Sequence, residues 1–147
     1  MSRVALLDVN VLVALFDPDH IHHEPAHGWF AEHSASGWAT CPLTENGLVR
    51  VLAHPAYSPA AERPALVLDR LRAFCGSGGH AFWPDDVSLR DPDLFEPGAP
   101  PSHRQVTDLY LLALAVKRQG RLATFDRTIP LAKVRGAEAP NMALIAA

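Results

Sequence analysis

Two acids close short apolar runs in nearly the same way. Asp8 follows Ala5-Leu6-Leu7, and Asp126 follows Leu122-Ala123-Thr124-Phe125. A continuous apolar run bounded by polar residues fits a strand buried on both faces. Each acid then stands at the carboxyl end of its strand, where open α/β sheets place their sites. Asp108 is unusual in another way: it lies early in the most hydrophobic helix of the chain, with apolar neighbours on nearly every side. A carboxylate there must be hydrogen-bonded, paired or metal-bound, because burying an isolated charge is very costly. Glu45 completes the set from the first turns of a helix opened by Pro42, and Leu43, Gly47 and Leu48 imply that this helix packs closely against the sheet.

If the strands ending at Asp8 and Asp126 are adjacent and parallel, both acids emerge on one edge. The amino-terminal ends of the helices carrying Glu45 and Asp108 would face that edge too. Two like charges ~4 Å apart at an effective dielectric of ~20 repel by about 4 kcal/mol. Such a cluster requires bound cations or captured protons. Its ligands are all oxygen, with no cysteine and no convergent histidine, which points to Mg²⁺ or Mn²⁺ and away from zinc. Taken singly, each acid has a plainer role as a cap, a surface charge or an arginine partner. Asp8 suits the cap of the following helix, and Arg104 stands four residues before Asp108.

Other motifs invite rival readings. His23-Glu24-Pro25-Ala26-His27 matches the zinc-protease pattern H-E-x-x-H. That chemistry needs the histidines one turn apart inside a regular helix, whereas Pro25 is tolerated only in a first turn. A wet helix start, enlarged by His20 and His22 and with incidental metal affinity, is the better account. A phosphatase using Asp8 as covalent nucleophile is a second rival. It lacks an acid at Asn10 and clear Ser/Thr and Lys motifs. A non-catalytic interaction protein, whose acidic cleft takes up a basic partner, is the third.

The elements that must position these groups alternate. Val9–Phe16 reads as a first helix ended by Pro18. His23–His33 reads as a second, with Ala26, Trp29 and Phe30 as its apolar stripe. Residues 37–40 form a brief strand, and Pro42 opens a helix to about His54 with Thr40 or Cys41 as cap. Pro59 or Pro64 begins the next helix, reaching Phe74. Glycines in 75–79 break it, and His80-Ala81-Phe82-Trp83 is a strand candidate. The acidic, proline-rich stretch 85–101 is an ordered connection with one helical turn near 87–89. Ser102 and Gln105 have the form of a capping box for a central helix over 105–119. Strands follow at 121–124 and 141–145.

The 147 residues fit one domain able to bury a core without disulfides. Cys41 and Cys75 read as reduced thiols. A net charge of −3 disfavours nonspecific coating of nucleic acid but is compatible with a nuclease whose acids are neutralised by cations. No signal peptide and no membrane span are indicated, so a cytoplasmic protein is expected.

With these pieces in order, the chain resembles the PIN-domain ribonucleases, most closely VapC-type toxins of type II toxin–antitoxin pairs. The similarity rests on Leu6-Leu7-Asp8-Val9-Asn10-Val11-Leu12, Thr44-Glu45-Asn46-Gly47, Val106-Thr107-Asp108-Leu109-Tyr110-Leu111 and Leu122-Ala123-Thr124-Phe125-Asp126-Arg127. It implies a single PIN domain over 1–147, built as a three-layer α/β/α sandwich on a parallel sheet of order 3-2-1-4-5. It implies a catalytic set of Asp8, Glu45, Asp108 and Asp126, with Asn10 and Thr124 in supporting positions. It further implies RNA as substrate, a small VapB-like antitoxin that blocks the acidic groove, and a homodimer.

The chemistry expected of such a set is metal-assisted hydrolysis. One or two Mg²⁺ ions, with Mn²⁺ as substitute, would be held by Asp8, Asp108 and Asp126, with Glu45 direct or through water. They would acidify a bound water and offset charge on the phosphorus centre under attack. Arg50, Arg104 and Arg127 are the candidates for phosphate contacts, because guanidinium binds phosphate bidentately.

Overall fold

The computed structural model describes residues 3–58 and 61–147. Its strands are β1 (Ala5–Leu7), β2 (Trp38–Thr40), β3 (His80–Phe82), β4 (Arg121–Thr124) and β5 (Met142–Leu144). Its helices are α1 (Val9–Phe16), α2 (His23–His33), α3 (Pro42–Leu52), α4 (Pro64–Cys75) and α5 (Val106–Lys117). Of the two prolines expected to open α4, Pro64 does so; Pro59 lies outside the described residues.

The five strands form one parallel sheet in the order β3-β2-β1-β4-β5. Strand side chains alternate between faces, and the burial follows that period. Ala5, Leu7, Trp38 and Ala123 join the core shared by α1, α2, α3 and α4. Leu6, Ala39 and Leu122 join the opposite core, built on α5. From Leu111 to Ala115 every residue of α5 is fully buried, and Phe95, Ile129 and Val134 share its core. That is why its sequence is apolar almost all round.

The ends of α1 show where the histidine motif goes. Asp17 N–H donates to the Val13 carbonyl at 2.9 Å. His23 Nδ1–H donates to Ala14 at 2.7 Å, and His27 Nε2–H to Leu15 at 3.0 Å. Arg70 donates to the Phe16 carbonyl. The four carbonyls that a helix terminus leaves open are therefore all taken, and both histidines of H-E-x-x-H serve as tail caps.

Four local expectations need correction. Ser102 does not cap α5: its carbonyl accepts from Gln105 N–H at 2.9 Å, and Gln105 takes the cap position without a side-chain bond. The side chain of Gln105 instead accepts from Lys133 Nζ at 3.3 Å. The helical turn expected at 87–89 lies at 91–95, where Asp91 accepts from Phe95 N–H through its carbonyl and from Asp93 N–H through its carboxylate. α3 stops at Leu52 instead of running to His54. Gly47 packs against α1 rather than the sheet, since a Cβ there would lie 2.7 Å from Val9 Cγ2.

The acidic connection acts as a strap. Asp85 accepts from Leu43 N–H at the start of α3 (2.9 Å) and from the Tyr110 hydroxyl (3.0 Å). Asp86 pairs with Arg118 at 2.7 Å and Lys117 at 3.5 Å. Among the described residues, no helix is long and apolar enough to cross a membrane.

His23→Ala should leave the Ala14 carbonyl without its donor and cost about 1–3 kcal/mol, measured as a lower urea midpoint with an unchanged slope.

Candidate active site

Parallel pairing brings the carboxyl ends of β1 and β4 side by side. Leu7 lies opposite Ala123, and Asp8 N–H donates to the Ala123 carbonyl at 3.0 Å. Asp8, 5% exposed, is fixed through both oxygens. Oδ1 accepts from Val9 N–H at 2.7 Å, which is the capping role, and Oδ2 accepts from the Thr124 hydroxyl at 2.8 Å. That same hydroxyl oxygen accepts from Asp126 N–H at 3.1 Å. Thr124 therefore bridges the two strand-end acids. Asp126 Oδ1 accepts from the backbone N–H and hydroxyl of Thr128, at 2.7 and 2.6 Å.

Asp108 enters from the first turn of α5 and faces both of the others. Burial pushes its carboxyl up to about 6, helped by the charges of Asp8 and Asp126. Burial also raises Asp8, against the bonds from Thr124 and Val9 and with the charge of Asp126. Asp126 moves the other way, because the Thr128 hydroxyl and N–H stabilise its carboxylate. Below about 6 a protonated Asp108 can donate to ionised Asp126, and above it all three carboxylates carry charge. Among the described residues, no lysine, arginine or histidine contributes to the balance at any of the three. Partly buried oxygen ligands lacking counter-charge fit a hard divalent cation.

Glu45 stands apart from them. Its Oε2 accepts from the Thr40 hydroxyl at 2.6 Å, and Thr40 Oγ1 also lies 2.7 Å from His80 Nε2. Strand alternation explains the separation: Thr40 follows Trp38 onto the face that α3 and α4 cover, whereas Asp108 approaches from α5 on the other. The expectation that no cysteine or histidine meets these acids is corrected here. Ligand atoms of Glu45, Cys75 and His80 all lie within 4.8 Å of one another. The overlooked signal is that Cys75 and His80 bracket the glycine turn of 76–79, which swings the chain from α4 into β3 beside β2.

Asn10 is exposed on the first turn of α1. Arg50, Arg104 and Arg127 are exposed, and Arg104 makes no pair with Asp108. Arg50 lines a groove of about 560 Å³ with Val9, Leu43, Gly47, Tyr57 and Thr107. Two of its lining residues, Val9 and Thr107, are the chain neighbours of Asp8 and Asp108.

The folded state binds the Asp108 proton more tightly than the unfolded chain does. Its charge therefore destabilises the fold fully above about 6 and not at all below the ordinary value of 3.8. Asp108→Asn should raise the thermal midpoint of the metal-free protein at neutral pH, and the advantage should vanish in acid; melting curves across that interval check both.

The comparisons with known proteins agree with one another. A family model described as "PIN domain" matches residues 5–136. Ribonuclease VapC44 of Mycobacterium tuberculosis is 44% identical over 141 residues, 96% of this chain and 99% of that protein. Ribonuclease VapC39 of the same organism is 46% identical over 125 residues, covering 85% and 90%. Ribonuclease VapC38 is 50% identical over 123 residues, covering 84% and 85%. The crystal structure of VapBC2 from Rickettsia felis bound to a DNA fragment from their promoter superposes with a TM-score of 0.54 at 12% identity, over 86% of this chain and 93% of that one. This last likeness speaks for the fold alone. From residue 5 to residue 136 the chain carries the family's pattern, and it belongs to the PIN-domain family, in its VapC-type toxin branch.

Proposed function

We propose that this protein is a Mg²⁺-dependent endoribonuclease that hydrolyses RNA phosphodiester bonds as the toxin of a type II toxin–antitoxin pair. The observation that carries this reading is the trio of Asp8, Asp108 and Asp126 between β1 and β4, without a basic partner. The names of the relatives, each a ribonuclease, support the reaction class.

In this reading Asp8, Asp108 and Asp126 hold the cation. Mg²⁺, or Mn²⁺ in its place, when bound supplies Lewis acidity toward the phosphoryl oxygens and lowers the pKa of water. The protein's own part is positioning. Thr124 and Val9 N–H hold the Asp8 carboxylate in one orientation, and Thr128 does the same for Asp126. Asp108, raised to about 6 by burial and by the charges of Asp8 and Asp126, would hold the ion in its ionised form. Glu45 acts through water, because Thr40 holds its Oε2. Arg50 in the groove and Arg127 beside Asp126 offer guanidinium to phosphate, and Arg104 lies before α5.

Asp8 is poorly placed as a phosphatase nucleophile, since both its oxygens accept hydrogen bonds and it is nearly covered. The acidic edge and its groove suit a cognate antitoxin of VapB type with basic side chains. The proposal includes a single PIN domain working as a homodimer in the cytoplasm.

Cleavage of RNA should require Mg²⁺ or Mn²⁺ and stop in excess chelator. Asp8→Asn should abolish it with an unchanged circular dichroism spectrum. Thr124→Val, which removes the hydroxyl behind Asp8, should lower activity or metal affinity by about 10–100-fold. Full turnover by Asp8→Asn, or with chelator present, would overturn the proposal.

A further inference from the structure

Three element ends meet away from the aspartates. Glu45 comes from the first turn of α3, Cys75 is the last residue of α4, and His80 is the first of β3. All three are partly exposed, so a small ion can reach them from solvent. Their ligand atoms lie within 4.8 Å of one another. Bonds of ~2.3 Å to sulfur and ~2.1 Å to nitrogen or oxygen set tetrahedral ligand atoms roughly 3.5 Å apart. Small side-chain rotations therefore close the set on one ion.

Thr40 orders two of these ligands. It is fully buried, and its hydroxyl touches Glu45 Oε2 at 2.6 Å and His80 Nε2 at 2.7 Å. An ionised carboxylate only accepts, so Thr40 gives its proton to Glu45 and takes the Nε2–H of His80. A neutral ring held in this way carries its lone pair on Nδ1. Burial favours the neutral ring as well, lowering the His80 pKa against the pull of Glu45. A neutral imidazole, a thiol and a carboxylate, two of them oriented by a buried hydroxyl, form a ligand set unlike the aspartate trio. Three protein ligands with a fourth position for water are the pattern of an open zinc site. Thiolate and imidazole select against Mg²⁺, which demands oxygen in octahedral array.

We propose that Glu45, Cys75 and His80 bind one thiophilic divalent cation, Zn²⁺ being the natural fit, at a site to which none of Asp8, Asp108 and Asp126 contributes a ligand. Binding replaces the proton of the Cys75 thiol by the metal and releases that proton to the buffer. The bound ion ties the end of α4 and edge strand β3 to α3, and it keeps Glu45 on the Thr40 side. Neither consequence depends on the nuclease reading.

The test uses the full-length, untagged protein and Co²⁺ as a spectroscopic stand-in for Zn²⁺. One equivalent should give a near-ultraviolet thiolate-to-cobalt band with tetrahedral visible absorption, bleached by Zn²⁺ and untouched by excess Mg²⁺. The histidine patch of 20–27 has no thiol, and Cys41 is buried with its thiol pushed up to about 11, so the band reports Cys75. Cys75→Ser should remove it and weaken Zn²⁺ binding by at least ~100-fold, more than loss of an outer partner alone. His80→Gln should weaken binding with the thiolate band retained at high Co²⁺. Asp8→Asn should keep the thiolate-to-cobalt band at wild-type strength. Circular dichroism establishes that each variant is folded. Cobalt absorption without a thiolate band, or Zn²⁺ affinity unchanged in both Cys75→Ser and His80→Gln, would overturn the site. Loss of the band in Asp8→Asn would overturn its separateness.

Discussion

Everything at the proposed catalytic edge depends on one hydroxyl. Thr124 donates to Asp8 and accepts from the backbone of Asp126, across the β1–β4 pairing. Without it the buried Asp8 carboxylate would keep a single strong donor, Val9 N–H. Burial would then drive it toward its neutral form. With it, two acids that repel each other are held at fixed positions, and a third, Asp108, faces both with its carboxyl raised to about 6. Parallel pairing is what permits this, because it delivers both strand ends to one edge.

The alternation of side chains along very short strands then divides the chemistry. Thr40 and Glu45 belong to the layer of α3 and α4. Asp108 belongs to the layer of α5. Glu45 consequently shares its surroundings with a thiol and an imidazole, while the three aspartates face one another. Two sets of ligands with different softness thus arise from one sheet, through nothing more than the face on which each residue falls.

The sequence disclosed those features that rest on local pattern. Apolar runs ending in Asp8 and Asp126 marked strands, and prolines at 18, 42 and 64 marked helix boundaries. The all-round apolarity of 106–116 marked a buried helix, and the four motifs marked the family. Features set by long-range pairing stayed hidden. Gln105 lacks a Ser102 cap because Lys133, far along the chain, engages its side chain instead. Asp85 caps α3 from more than forty residues away, so the acid-rich connection is a strap. His80 reaches Glu45 only once β3 has docked on β2, and no periodicity announces that. His23 and His27 gave a misleading metal motif, since nothing local shows that the carbonyls of α1 lie within their reach.

Those histidines have a consequence for the opposite end of the same helix. α1 is eight residues long, about 12 Å at 1.5 Å per residue, with Asp8 at its head. Its tail is bolted to α2 through His23 and His27 and to α4 through Arg70. A rod so short and so firmly fastened has no slack. One short helix thus carries the contacts of α2 and α4 at one end and the buried acid at the other, so the outer layer and Asp8 are joined through a single element.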